Sequence, residues 1–353
     1  MGRGLTMKVT YLIGNGFDLH LGMKTAFKDI CEAYIKEKSN NKIISDFKNE
    51  LRKDSPNYKN WSDFEIAMGK YSENYNDFED FKLCVHSFRS FMVKYLLKEE
   101  EQYLNFLDKH QIPNFKFDVL LSNIRDSIYL SPKNAVAEDL KQGGLIEESF
   151  ISFNYTTILD KIISFYNRNL NISQKYSNVI HIHNDLNSGI LFGVDNEEQI
   201  ANVTFRGDKR KNRTFIKPFL NNEMNYNKVN NVIKTIRNSE VICVYGMSFG
   251  DSDLTWKNEV FNWLKTSQSN ILVYFSYNDF SFEKHDSDDI LNLEDDLKIS
   301  LLEKMGCTEN YDALMEQIVI PINEDLIDFT AYVIKNFQTK ESLNKRPIEK
   351  HVN

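Results

Sequence analysis

Two histidines, His181 and His183, stand two residues apart at the end of the apolar pair Val179-Ile180, and the amide of Asn154 closes the run Phe150-Ile151-Ser152-Phe153. An imidazole titrates near neutral pH and is the commonest side-chain base. An amide donates and accepts together, which suits a ribose hydroxyl or an ordered water. Each has a bland alternative. Strand histidines are common core residues, and Asn154 is placed to cap a helix starting near Thr157. Alternation along a strand puts His181 and His183 on one side, and with Asp185 nearby this spacing also admits a metal pair. His183, nearer the carboxyl end, is the better candidate base.

Two further motifs carry glycine. Gly14-Asn15-Gly16-Phe17-Asp18 follows the apolar run Val9-Thr10-Tyr11-Leu12-Ile13, and Tyr245-Gly246-Met247-Ser248-Phe249-Gly250-Asp251-Ser252-Asp253 follows Glu240-Val241-Ile242-Cys243-Val244. Gly-x-Gly after a strand opens a dinucleotide fingerprint, in which glycine lets the backbone approach a pyrophosphate. The third glycine of that fingerprint is replaced by Leu19, and no Gly-Lys-Ser/Thr of a P-loop follows. A plain strand–turn–helix junction is the alternative. Gly246-x-Ser248-x-Gly250 matches a nucleophile-elbow pattern, but the histidines downstream are His285 in an acidic stretch and His351 near the end, which argues against a hydrolase triad. Asp251 and Asp253 better fit a loop that caps the next helix and touches a ligand. Four polar motifs at four strand ends point to one pocket, because open α/β sheets bind ligands outside the carboxyl ends of their strands.

The elements that must position these residues follow from periodicity. Strands are predicted at 7–14, 149–155, 178–183, 189–193, 239–246 and 270–276, and helices from Thr25 onward and at 156–168, 222–237 and 253–267. Alternating strands and helices imply a mostly parallel sheet. Residues 36–148 are instead rich in charge and aromatics, with a helical stripe of Phe78, Phe81, Val85, Phe88, Met92 and Tyr95 that reads as helix–helix core. Further helices are expected around Leu104, Leu107 and 117–124, and a turn at Gln142-Gly143-Gly144. The expected organisation is a nucleotide-binding core of 7–35 and 149–280, a helical insertion of 36–148 after the first βα unit, and a helical, acidic extension of 281–353. The basic run Lys209-Arg210-Lys211-Asn212-Arg213 reads as a solvated loop or as a lid over an anionic ligand.

The 353 residues carry a net charge of -8, which argues against a nucleic-acid surface as the main partner. Four cysteines, Cys31, Cys84, Cys243 and Cys307, form no C-x-x-C pair, so a zinc ribbon or redox pair is not expected. No apolar run approaches the roughly 18 residues of a bilayer span, and no signal-peptide h-region stands at the start. The chain reads as reduced, soluble and cytoplasmic, with no membrane partner.

The ordered motifs resemble the AbiH family of phage abortive-infection proteins from about residue 8 to about 275. The resemblance is carried by Leu12-Ile13-Gly14-Asn15-Gly16-Phe17-Asp18-Leu19 with Lys24-Thr25, Trp61-Ser62-Asp63-Phe64-Glu65, Ser152-Phe153-Asn154-Tyr155-Thr156, His181-Ile182-His183 with Phe192-Gly193, and the block 245–253. Asn184 stands where that family usually has glycine. More distantly, the same order is similar to the sirtuin-like fold, which implies an α/β, Rossmann-like, mostly parallel sheet. By that resemblance Asn154 and His183 are the catalytic pair, and Gly14, Asn15, Gly16, Asp18, Gly246 and Ser248 contact NAD; Asp251 joins them from the loop reading above. The zinc-binding cysteine pairs of deacetylating sirtuins have no counterpart here, so deacylation is not implied. Defence proteins of the wider group are commonly NAD hydrolases, and NAD hydrolysis without a metal is the expectation. Two rival expectations are a nucleotide sensor without chemistry, favoured if Asn184 crowds the site, and a nuclease toxin using His181, His183 and Asp185 on a metal. A phage-derived trigger and a homo-oligomer are the candidate partners beyond the nucleotide.

Overall fold

The computed structural model describes residues 6–54, 64–109, 145–169, 177–275 and 287–321. The expected helix at 117–124, the turn at 142–144 and the segment Trp61-Ser62-Asp63 lie outside them. The chain is α/β. Six parallel strands form one sheet: β1 (Thr6–Ile13), β2 (Leu145–Ser152), β3 (Val179–His181), β4 (Val241–Tyr245), β5 (Ile271–Phe275) and β6 (Ile318–Val319), in the spatial order β3-β2-β1-β4-β5-β6. β1 is central and pairs with β2 on one side and β4 on the other.

Side-chain alternation on β1 explains why both faces are covered. Val9, Tyr11 and Ile13 enter one apolar cluster with Cys243, Tyr245, Val273 and helix α6 (Ile158–Asn169). Leu12 enters a second with Ile242, Val244 and Leu272. That second cluster packs on α9 (Tyr226–Arg237), α10 (Leu254–Thr266) and α11 (Ser287–Lys304). Strands buried on both faces read as continuous apolar runs, as β4 does with all five residues buried.

After β1 come the short α1 (Gly16–His20), α2 (Phe27–Lys36), α3 (Lys42–Asp54), α4 (Phe64–Tyr71) and the long α5 (Phe78–Lys109). Along the stripe of α5, Phe81, Val85, Phe88 and Met92 are buried and build a third cluster with Ile30, Tyr34, Phe47 and Phe64, while Phe78 and Tyr95 pack half-buried at its margin. Phe192, Phe205 and Phe215 complete that cluster. It thus draws residues from both the expected core and the expected insertion.

Four predicted elements differ. No strand forms at 189–193. Leu191 N donates to His183 O, Gly193 N donates to the Glu65 carboxylate, and Ile190 and Phe192 sink into the third cluster, so no sheet partner remains. β3 stops at His181 because Asn184, at φ 59°, turns the chain and donates its N–H back to His181 O. The predicted helix 222–237 breaks at Asn225 into α8 (Lys217–Met224), begun by Pro218, and α9. The basic run is neither loop nor lid. It is helix α7 (Lys209–Phe215), capped by Asp208, with Lys209 and Arg213 paired to Glu223.

Candidate functional site

The carboxyl ends of β1, β2 and β4 and the turn after β3 open into one cavity of about 740 Å³. Ligand pockets span roughly 300–1,000 Å³, and the crevice lies where the sheet diverges on either side of β1. All the expected site residues except Asp251 line it.

The two glycine loops form the floor by packing on each other. Gly14 N donates to Tyr245 O at 2.9 Å and Gly16 N to Gly246 O at 2.8 Å. A Cβ on Gly14 would stand 2.5 Å from Gly246 O, and one on Gly16 2.5 Å from Gly246 Cα. Gly246 itself has φ +66°, which favours glycine. The missing side chains therefore serve the contact between loops. Asn15 turns its amide to Thr25 O at 2.9 Å and fixes the segment leading into α2.

Above this floor lie polar groups with bonding capacity to spare. Asn154 is 4 % exposed; its side-chain amide acts on the neighbouring Asp18 carboxyl, but neither of its atoms closes a hydrogen bond of ordinary length among the described residues. Asp18 is 1 % exposed; its Oδ2 accepts from Thr156 Oγ1 at 2.6 Å while Oδ1 is unpartnered. Burial pushes its carboxyl up to about 7, against the opposing pull of Thr156 and Asn154 and with help from the Glu100 charge. Buried polar atoms are nearly always bonded, so such exceptions in one pocket mark a place for a polar ligand.

His183 is held differently. Its Nε2 lies 2.7 Å from Asp253 Oδ1, its ring meets Phe153 edge-on, and its Nδ1 is unpartnered. Burial would raise the Asp253 pKa, but the Lys217 ammonium and then His183 outweigh it and hold the carboxyl well below the usual range. An ionised Asp253 accepts from Nε2–H, which in the neutral ring leaves Nδ1 as the lone-pair nitrogen. Lys217 comes from the start of α8, is buried, and donates to Asp253 Oδ1 at 2.9 Å and Glu65 Oε2 at 2.7 Å. Burial would lower its pKa; the two carboxylates reverse that and raise it. Glu65 Oε1 in turn accepts from Tyr155 Oη and Gly193 N. The result is a fully bonded chain from α4 to the base.

His181 does not share this side. Both its ring nitrogens are engaged, Nε2 with Asp160 at 2.7 Å and Nδ1 with Asn154 O at 3.0 Å. Burial would lower its pKa, but Asp160 and the Asn154 carbonyl raise it above the ordinary value. Its ring thereby fixes the backbone that carries Asn154. Asp185 caps its own turn. The expected trio of His181, His183 and Asp185 is therefore not assembled, and among the described residues no cluster of three metal-ligating side chains occurs.

A family profile described as bacteriophage abortive infection AbiH matches residues 10–275, well over half the chain. The chain belongs to the AbiH family. No curated protein sequence matches it significantly. Every residue of the AbiH cavity described above lies within the matched span.

Two expectations for this AbiH chain need correction. Asp251 is exposed and pairs with Lys257 at 2.8 Å; the carboxylate that reaches the pocket is Asp253. Asn184 does not crowd the site. Asn tolerates its left-handed backbone better than most residues, and its side chain turns to Gly189 O, Asn225 and Lys228. Ser248 lines the cavity but makes no hydrogen bond to His183, whose Nδ1 is unpartnered, so no nucleophile triad is assembled. Lys217 belongs to no sequence motif, Glu65 holds a motif position with no role expected of it, and Thr156, a candidate helix cap by sequence, instead donates to Asp18. Among the described residues no helix is long and apolar enough to cross a membrane.

Proposed function

We propose that this AbiH protein is an abortive-infection effector that binds an NAD-type nucleotide in the cavity and hydrolyses its nicotinamide N-glycosidic bond, depleting cytoplasmic NAD on a phage-derived signal. The observation that carries the reading is the buried Asn154 amide, with bonding capacity to spare, in one cavity with a base whose tautomer is fixed by Asp253. The strand order β3-β2-β1-β4-β5-β6 is that of doubly wound dinucleotide-binding sheets. It supports a Rossmann-like core; the proposal takes that core as sirtuin-like, of 7–35 and 149–280, with 36–148 as a helical insertion and 281–353 as an extension.

In this chemistry the bond between ribose C1′ and the nicotinamide nitrogen breaks, and its electron pair leaves with nicotinamide. Positive charge develops on the ribose. A water oxygen then bonds to C1′ and loses a proton. Asn154 holds a ribose hydroxyl or the water, and His183 Nδ1 accepts the proton. The resulting imidazolium is stabilised by Asp253 in the manner of a base oriented by a carboxylate. The apolar wall of Met92 and Leu96 from α5 excludes competing water.

The test is turnover of NAD by the purified full chain, alone and after exposure to phage lysate, with nicotinamide and ADP-ribose resolved by chromatography. His183→Ala and Asn154→Ala are run in parallel. Turnover by the wild type that both substitutions abolish supports the reading. Nucleotide binding without turnover in either condition assigns the pocket to a sensor instead.

A further inference from the structure

The buried charges of the cavity are balanced within the chain, with one exception. Lys217 lies between Glu65 and Asp253, and Asp253 also holds His183. Lys28, which lines the cavity too, is exposed to solvent. Asp18 faces the same space from a buried position, and among the described residues no lysine or arginine pairs with it. Thr156 holds its Oδ2, while Oδ1 closes no hydrogen bond of ordinary length.

The groups packed around this carboxyl do not supply the missing cation. Glu100 of α5 is itself a buried carboxylate, bonded to the N–H and hydroxyl of Thr157. Tyr103 of the same helix is a buried phenol that burial keeps un-ionised. His181 of β3 acts on Asp18 electrostatically, but both its ring nitrogens are taken by Asp160 and the Asn154 carbonyl. A buried carboxyl without a counter-ion keeps its proton, and burial accordingly pushes Asp18 up to about 7. Such a group ionises when a cation enters beside it.

We propose that Asp18 is the counter-charge for a cationic group of the ligand, seated in the cavity against Oδ1 and beside the Asn154 amide. This inference rests on the nucleotide reading above and deepens it. The cation is the oxidised nicotinamide ring, and its positive charge passes to the ribose as the glycosidic bond breaks. A carboxylate already in place stabilises that charge without reorganisation. The site then selects the oxidised dinucleotide over its reduced form, whose dihydronicotinamide ring is neutral. The proton that Asp18 loses on binding passes to solvent.

Calorimetric titration of the full chain with NAD and NADH at pH 6 and pH 8 tests it. The titrations use the His183→Ala background, which keeps the ligand intact and removes another group that titrates in this range. The cation binds the ionised form, so affinity for NAD rises with pH. Asp18 goes from about one-tenth to about nine-tenths ionised, so the rise should be about tenfold, with NADH unchanged within twofold. Asp18→Asn keeps an acceptor for Thr156 and removes the charge; in it the NAD affinity should be flat with pH. A rise that is absent, that NADH shares or that Asp18→Asn retains overturns the counter-charge and leaves the nucleotide reading standing. Should Asp18→Asn fail to fold, the contrast between the two dinucleotides decides alone. An unsubstituted chain that binds neither dinucleotide at either pH overturns both.

Discussion

The cavity has two walls that treat their polar atoms in opposite ways. On the strand-end wall, the Asn154 amide and one Asp18 oxygen are buried without a hydrogen bond of ordinary length. On the helical wall, Glu65 and Lys217 are equally buried, and each makes more than one short bond. His183 stands between them, with one nitrogen bonded to Asp253 and the other free. Both walls bear the cost of burying polar groups, but one recovers it within the chain. The difference separates scaffold from ligand contact: the helical wall fixes geometry, and the strand-end wall keeps bonding capacity for something else.

Substitutions sharpen that contrast. Lys217→Met removes the cation between two buried carboxylates and is expected to cost about 3–5 kcal/mol, measured by urea denaturation. A smaller loss, within about 1 kcal/mol, would mean that the helical wall is not the scaffold. Asp18→Asn acts through pH. Because the folded pKa is raised, the folded chain retains a proton that the unfolded chain releases, so wild-type stability falls as pH rises from the ordinary 3.8 to about 7. The loss is about 4 kcal/mol at one pKa unit per 1.36 kcal/mol. The variant should show a flatter stability profile from pH 4 to 8, and an unchanged slope would refute the buried-carboxyl account.

Gly16→Ala forces a methyl against the Gly246 backbone and is expected to cost about 1–3 kcal/mol in the same denaturation assay. Asn154→Ala has the smallest effect on folding, under about 1 kcal/mol, because its contact with Asp18 is longer than an ordinary hydrogen bond. It should nonetheless abolish NAD turnover. If it unfolds the chain instead, the amide belongs with the scaffold.

How much of this was readable in the sequence depended on locality. β1, the second half of β2 and β4 are apolar runs closed by a polar motif, and β5 is a short apolar run; those cues lie within a few residues. The four motifs converge on one cavity because parallel strands align their carboxyl ends. Residues 189–193 have strand composition, but the third cluster took their side chains and left the backbone without a sheet partner. The basic run reads as loop until Asp208 is seen to cap it. Lys217 left no local trace, since its partner Glu65 is 152 positions away and its spacing matches no motif. Asp251 was preferred to its neighbour Asp253 for want of any cue to which of the two faces inward.

The contact of Gly14 and Gly16 with Gly246 has a consequence for how this chain can vary. Two loops about 230 positions apart are zipped main chain to main chain. Most packing clashes can be relieved by shrinking the neighbour, but glycine has nothing left to remove. The three positions therefore form a lock with no compensating key. A lineage altering its ligand preference therefore meets less resistance in the walls than at these three positions of the floor.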